Sequence, residues 1–289
     1  MRQFLDKLRV FLEMIKFEHS IFALPFAYSG LFLAANGWPH WHSFLWVSIA
    51  MVSFRTYAMS LNRIIDRMID ARNPRTKDRA LPAGRLTVMF VWLVSVFSLI
   101  IFEVSAYQLP TICFKLSWIP SLLALLYPLT KRFTWLSHFV LGIILGIAPY
   151  GAWLGEGREF SWTPGCLTLG VSCWVAGFDI IYALQDLDFD KSHQLYSFPS
   201  RFGLEAGLVA PRILHGLALF SWIAAGWIAP LGLIYFIGLF LAGLALIREN
   251  WLIRSGGMGK LQDAFFKMNA FVSSVLFLSV WFDLLLRRI

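Results

Sequence analysis

The sequence predicts an all-α, multi-pass membrane protein with nine transmembrane helices. Three observations carry that prediction. Of its 289 residues, 58% are hydrophobic and only 15% charged, where a soluble domain of this size carries about 25% charged residues. Apolar runs of about 20 residues, each long enough to cross the hydrocarbon core as a helix, recur along the whole chain. Alternation with period two is sustained nowhere, which argues against a transmembrane barrel.

Residues 1–18 set Arg2, Asp6, Lys7, Arg9, Glu13, Lys16 and Glu18 among apolar residues. That pattern suits a helix lying at the membrane interface and does not resemble a cleavable signal peptide. Nine spans follow, at 19–37, 43–65, 87–105, 110–128, 135–154, 164–184, 208–228, 230–248 and 267–286. Of the 25 Lys and Arg, four (Lys115, Arg158, Arg287 and Arg288) fall on one side, and Arg55 and Arg63 lie within a span. All the others fall on the side that receives the N-terminus and the segments after spans two, four, six and eight. The positive-inside rule makes that side cytoplasmic. The net charge of +8 therefore reads as topology and not as a nucleic-acid footprint; no nucleic-acid partner is expected.

Cys113, Cys166 and Cys173 are isolated, with no metal-binding spacing, and read as packing residues. His19, His40, His42, His138, His193 and His215 form no paired motif, so structural or exposed roles are expected of each.

The most informative residues are two acidic stretches. Asn62, Asp66 and Asp70 stand at i, i+4, i+8, and Asp186 and Asp190 at i, i+4, so each set lies along one helix face. Carboxylates in or beside a bilayer are costly and mark working sites. Both stretches fall on the cytoplasmic side, four spans apart, a spacing that hints at two equivalent helix–loop units facing one another. Carboxylates gathered in this way suit Mg²⁺, a hard cation that takes oxygen ligands and shares its shell with substrate phosphates.

Arg72, Arg75, Lys77 and Arg79 follow the first stretch, Lys131 and Arg132 sit in the next cytoplasmic loop, and Lys191 follows the second stretch. Any one of them is equally explained as a topology signal. Together with the acids they describe a diphosphate site in which metal and cations share the phosphate oxygens. Metal-assisted loss of pyrophosphate from an allylic lipid leaves a carbocation, which a dry, aromatic chamber suits. The 27 Phe, 13 Trp and 8 Tyr permit such a chamber, although most aromatics serve packing and interface belts in any membrane protein.

Asn62-x3-Asp66-x3-Asp70, continuing through Asn73-Pro-Arg-Thr-Lys-Asp-Arg79 to Gly84, resembles the first signature of the UbiA superfamily of intramembrane prenyltransferases. Tyr182-Ala-Leu-Gln-Asp186-x3-Asp190-Lys191 resembles the second, and 127–132 and 197–203 are similar to further loops of that family. The resemblance spans nearly the whole chain. It implies a single integral-membrane domain over 1–289, a nine-helix barrel with a cytoplasmic cap, in which 66–86 and 186–206 form catalytic loops.

It implies that Asp66, Asp70, Asp186 and Asp190 hold two Mg²⁺ against a polyprenyl diphosphate, with Asn62 assisting. Arg75, Arg79 and Lys131 would contact phosphate oxygens, with Lys77 and Lys191 as further contacts by position. Arg55 would meet the carboxylate of an aromatic acceptor, unless it pairs with Asp179 or a backbone carbonyl. Asp179 would orient the acceptor or take its ring proton, and Tyr127 would act similarly through its hydroxyl. Ser192–Tyr196 departs from the usual pattern and bears on how the second loop closes.

The acceptor expected on this resemblance is 4-hydroxybenzoate, for ubiquinone synthesis at a bacterial inner membrane. The alternatives are a futalosine-route menaquinone enzyme and, more remotely, a haem farnesyltransferase. Outside the superfamily, a cation transporter would place isolated acids near the midplane. A CDP-alcohol phosphotransferase would open its motif with Asp-Gly, which is missing here. A scaffold would need no such site.

Overall fold

The computed structural model describes the backbone of residues 2–17, 20–254 and 261–287, and the side chains of 6–17, 24–252 and 267–287. His19, Lys260 and Arg288, and the side chains of Arg2 and Arg254, therefore lie outside the described residues. Every regular element among the described residues is helical: α1 (Arg2–Met14), α2 (Ser20–Ala35), α3 (Trp41–Arg72), α4 (Val88–Gln108), α5 (Thr111–Thr130), α6 (Ser137–Gly155), α7 (Trp162–Ala183), α8 (Leu187–Ser192), α9 (Phe198–Ile228), α10 (Leu233–Arg254) and α11 (Leu261–Leu286). Eight of these stretches, in α3 to α7 and α9 to α11, are long and apolar enough to cross a bilayer. The first predicted span corresponds to α2, a 16-residue helix; at 1.5 Å per residue it reaches about 24 Å, short of the ~30 Å hydrocarbon core.

Two helices extend well past the predicted spans. α3 runs 32 residues, through Asp66 and Asp70 to Arg72, so the first seven residues of the expected 66–86 loop are helical. α9 begins at Phe198 under a Ser197–Ser200 capping box, ten residues before the predicted start. It kinks at Gly203, where φ is 88°, a backbone conformation that strongly favours glycine.

α1 is anchored to the rest of the chain by packing. Phe11, Met14 and Ile15, at i, i+3 and i+4, are buried against Ile64, Ala80, Leu86 and Val91, so α1 packs onto α3, the following loop and α4. Glycines let the helices of the wall approach closely, as is common between membrane helices. A Cβ at Gly30 would lie 2.0 Å from the Pro149 carbonyl oxygen, and one at Gly170 would lie 2.3 Å from Trp222 Nε1. On the outer face of α4, Leu93, Phe97, Ile100 and Val104 are exposed at helical spacing, as a lipid-facing stripe requires. The helices surround a chamber of about 900 Å³.

Candidate active site

The first acidic stretch is positioned by an uninterrupted helix. Asn62 Nδ2 donates to Asp66 Oδ2 at 3.1 Å, one turn apart on α3. The helix stops because Pro74 disfavours helical backbone at Asn73, whose φ and ψ are −86° and 120°. Asn73 then turns the chain. Its Oδ1 accepts from the Arg75 N–H at 2.9 Å, and its Nδ2 donates to Asp186 Oδ1 at 2.9 Å. Thr76 Oγ1 donates to the Asp70 carbonyl at 3.1 Å. One short turn therefore ties the end of α3 to the second acidic stretch.

That second stretch is not one continuous α-helix. Asp186 closes a single 3-10 turn, Leu184–Asp186, and Asp190 sits in α8. Both still line the chamber, together with Asp66 and Asp70. Three of the four carboxylates are joined to cations. Lys131 Nζ lies 2.6 Å from Asp66 Oδ2. Arg79 Nη1 donates to both oxygens of Asp70, at 2.8 and 2.9 Å. Arg75 grips Asp186 with a fork, Nε to Oδ1 at 2.9 Å and Nη2 to Oδ2, a geometry that gives arginine–carboxylate pairs their strength. The carboxylate raises the pKa of the Arg75 guanidinium above the ordinary arginine value. Asp190 has no ionic partner among the described residues.

The expected diphosphate residues thus divide in two. Arg75, Arg79 and Lys131 line the chamber, whereas Lys77 and Lys191 are exposed and stand outside its lining. Among the described residues no three His, Cys, Asp or Glu side chains lie at metal-binding spacing; the four acids are spread over three elements, and three of them are turned toward cations.

The expected acceptor residues Arg55, Asp179 and Tyr127 all line the same chamber. Arg55 Nη2 donates to the Lys16 carbonyl at 3.2 Å, so a backbone carbonyl holds one end of the guanidinium; its Nε is buried without a partner. Asp179 pairs with His138, whose Nδ1 lies 2.6 Å from Asp179 Oδ2.

Two polar residues escaped the sequence reading. Nothing in the sequence marks His138 for a functional part, yet it is buried at the chamber wall beside Asp179. Glu103, toward the C-terminal end of the apolar α4, accepts from Ser117 Oγ at 2.5 Å and Ser121 Oγ at 3.0 Å. Its signal was present: a lone acid in α4 opposite two serines spaced i, i+4 in α5.

The chamber is long. On α3 alone it is lined from Val47 to Asp70, about 35 Å at 1.5 Å per residue. At the end remote from the acids it meets Tyr150 and Phe160, whose ring centroids are 5.8 Å apart. Tyr150 Oη donates to the Ser161 carbonyl and accepts from its N–H, at 3.1 and 3.0 Å. The site is therefore a polar mouth of paired acids and bases above a deep apolar cavity.

Comparison with known proteins gives a consistent result. Residues 23–275 match the model of the UbiA prenyltransferase family. The chain is 30% identical over 260 residues to the 4-hydroxybenzoate octaprenyltransferase of Aliivibrio fischeri strain ATCC 700601 / ES114, covering 86% of this chain and 87% of that one. It is 33% identical over 228 residues to the enzyme of the same name from Tolumonas auensis, covering 78% of each. The apo structure of a UbiA homologue from Aeropyrum pernix K1 superposes with a TM-score of 0.83 at 32% identity, over 92% of this chain and 98% of that one. A UbiA homologue from Archaeoglobus fulgidus, bound to GPP and Mg²⁺, shares the fold at a TM-score of 0.73 and 18% identity, over 95% and 99%. With a family match over most of its length, and with acids and bases gathered at the mouth of an intramembrane cavity, the chain is a prenyltransferase and belongs to the UbiA family.

Proposed function

We propose that the protein transfers a polyprenyl group from a polyprenyl diphosphate to 4-hydroxybenzoate, in a Mg²⁺-dependent reaction at the cytoplasmic face of a bacterial inner membrane. The observation that carries this reading is the convergence of Asp66–Lys131, Asp70–Arg79 and Asp186–Arg75 at the mouth of the apolar chamber. Relatives named 4-hydroxybenzoate octaprenyltransferase support the acceptor. Counting α2 as a short crossing gives nine, in one membrane domain over 1–289 with 66–86 and 186–206 at its cytoplasmic cap.

The donor set suits the metal. Asp66 Oδ1 is buried without a hydrogen-bond partner, a costly state for a carboxylate oxygen unless a cation or donor meets it. Asp66, Asp70, Asp186 and Asp190 would hold Mg²⁺, with Asn62 steadying Asp66; the hard oxygen donors match the ion. When bound, Mg²⁺ neutralises charge on the departing pyrophosphate.

The chain's own residues supply the rest. Arg75, Arg79 and Lys131 exchange their carboxylate partners for phosphate oxygens and hold the diphosphate at the mouth. The chamber takes the prenyl chain and excludes water from the allylic cation. As the C–O bond breaks, its electron pair leaves with pyrophosphate, and the acceptor ring carbon forms the new C–C bond. Asp179 takes the ring proton, with Tyr127 beside it, and Arg55 holds the acceptor carboxylate.

The test is a membrane assay with labelled polyprenyl diphosphate against a panel of aromatic acids and futalosine derivatives. The expected result is Mg²⁺-dependent label in 4-hydroxybenzoate and release of pyrophosphate. Label transferred only to a futalosine derivative would overturn the acceptor, and no pyrophosphate release with any acceptor would overturn the reaction.

A further inference from the structure

We infer that His138 is a positioning residue for the acceptor, acting through Asp179; the inference rests on the reading of Asp179 as the carboxylate that meets the acceptor. His138 is the second residue of α6 and is 4% exposed. Its two ring nitrogens are both engaged. The backbone N–H of Phe198 donates to Nε2 at 3.1 Å, and Nδ1 lies 2.6 Å from Asp179 Oδ2.

These two contacts fix the proton. A nitrogen that accepts from a peptide N–H carries a lone pair, so Nε2 is unprotonated. The remaining hydrogen of a neutral imidazole then sits on Nδ1 and points at the carboxylate. His138 is thus a donor to Asp179, in one tautomer, set by a backbone amide. A second proton on the ring would have to displace the Phe198 bond, so His138 orients Asp179 and does not relay protons.

The amide that sets the tautomer is itself well placed. Phe198 is the first residue of α9, just inside the capping box in which Ser197 Oγ accepts from the Ser200 N–H at 3.3 Å and Ser200 Oγ accepts from the Ser197 N–H at 2.8 Å. Two residues earlier, the Tyr196 N–H donates to the Lys131 carbonyl at 2.7 Å. The segment after the second acidic stretch therefore reaches back to Lys131 on the diphosphate side and, through His138, to Asp179 on the acceptor side. Fixing one oxygen of Asp179 sets the plane of its carboxylate within the chamber wall.

Outer-shell partners that orient metal ligands cost about 10- to 100-fold when removed, and the same order is expected for a side chain that orients a reacting carboxylate. Three substitutions separate orientation from bulk. His138→Asn keeps an amide N–H near the Nδ1 position; His138→Gln keeps a polar group near Nε2 only; His138→Leu keeps neither. Steady-state kinetics in membranes, varying acceptor and prenyl diphosphate separately, read the result. His138→Leu and His138→Gln are expected to lower kcat/KM for the acceptor by about 10- to 100-fold while leaving the KM for prenyl diphosphate within about twofold. His138→Asn should recover most of the loss.

Asp179→Asn is the companion variant, and adding His138→Leu to it should cost little more, because the two act as one unit. Asp179→Asn with parental acceptor kinetics would overturn the role of Asp179 and this inference together. Asp179→Asn impaired while His138→Leu stays parental would overturn the part given to His138 alone. If His138→Leu does not fold, the comparison of Asn with Gln decides: equal losses in the two, or a parallel rise in the diphosphate KM, overturn the inference.

Discussion

Lys131 Nζ stands 2.6 Å from Asp66 Oδ2, fastening the end of α5 to the first acidic helix. The aspartate side chain is 4% exposed and the lysine 28%, so water does little to replace the lysine if it is lost. Removing one partner of a buried pair leaves an uncompensated charge and costs about 3 kcal/mol or more, discounted here because the lysine is partly exposed. Lys131→Met is therefore expected to lower the melting temperature in detergent, and Asp66→Asn added to it should restore much of the loss. Both variants should lose pyrophosphate release, since each removes a charge from the diphosphate site. Melting temperatures of the two single variants and the double variant check the coupling; strictly additive losses would show that the pair is not coupled.

Arg55 should matter to the acceptor and not to the donor. Its Nη2 is held by the Lys16 carbonyl while its buried Nε has no partner, which leaves a guanidinium edge to meet a carboxylate. Arg55→Ala should raise the acceptor KM by about tenfold or more, the order expected for a lost charged hydrogen bond of about 1.5–3 kcal/mol. The KM for prenyl diphosphate should stay close to the parental value. A separate series with an acceptor analogue lacking the carboxylate should show no difference between parent and variant.

The elements that gave themselves away in the sequence did so through local signals. Asp66 and Asp70 are one turn apart in an apolar chain, and their α3 face could be read from spacing alone. The cations were legible as a group, but not their partners. Asn73 and Arg75 meet Asp186 across more than a hundred residues, a pairing that only the packed bundle creates. The end of α3 is not legible from charge alone: Asp66 and Asp70 are buried against Lys131 and Arg79, so the helix carries both acids on to Arg72 and stops only before Pro74. Lys77 and Lys191 share the composition of Arg75 and Arg79, and only the turn at Asn73–Thr76 and the fold of α8 decide which cations face inward. His138 was illegible for the same reason, since nothing local links it to Asp179 or to the amide of Phe198.

Glu103 should be structural and separable from turnover. It ties α4 to α5 through Ser117 and Ser121, and Tyr57 Oη donates to the Ser121 carbonyl at 3.1 Å from α3. Both serines also bond to backbone carbonyls of their own helix, so they keep partners if the acid is removed. Hydrogen bonds between membrane helices average about 0.6 kcal/mol, which makes the expected loss modest. Glu103→Gln should melt within a few degrees of the parent, and Glu103→Ala somewhat lower, with prenyl transfer retained in both. Thermal unfolding and turnover on the same preparations check this, and loss of turnover at an unchanged melting temperature would give Glu103 a direct part in the reaction.

Gly151 offers a handle on donor length. It lies on the chamber wall thirteen residues beyond His138 along α6, about 20 Å deeper at 1.5 Å per residue. A Cβ built there meets nothing within 4 Å, so a larger side chain can enter the cavity without forcing the helices apart. Gly151→Trp would place an indole across the path of a long prenyl chain while leaving the first isoprene units near the acids untouched. In competition between geranyl and longer polyprenyl diphosphates, the variant should disfavour the longer donors by about tenfold or more, a discrimination that pocket shape commonly supplies. Turnover of the geranyl donor should change little. Product chain lengths read by mass spectrometry decide the matter: an unchanged distribution would mean that the tail leaves the chamber before it reaches α6 at Gly151.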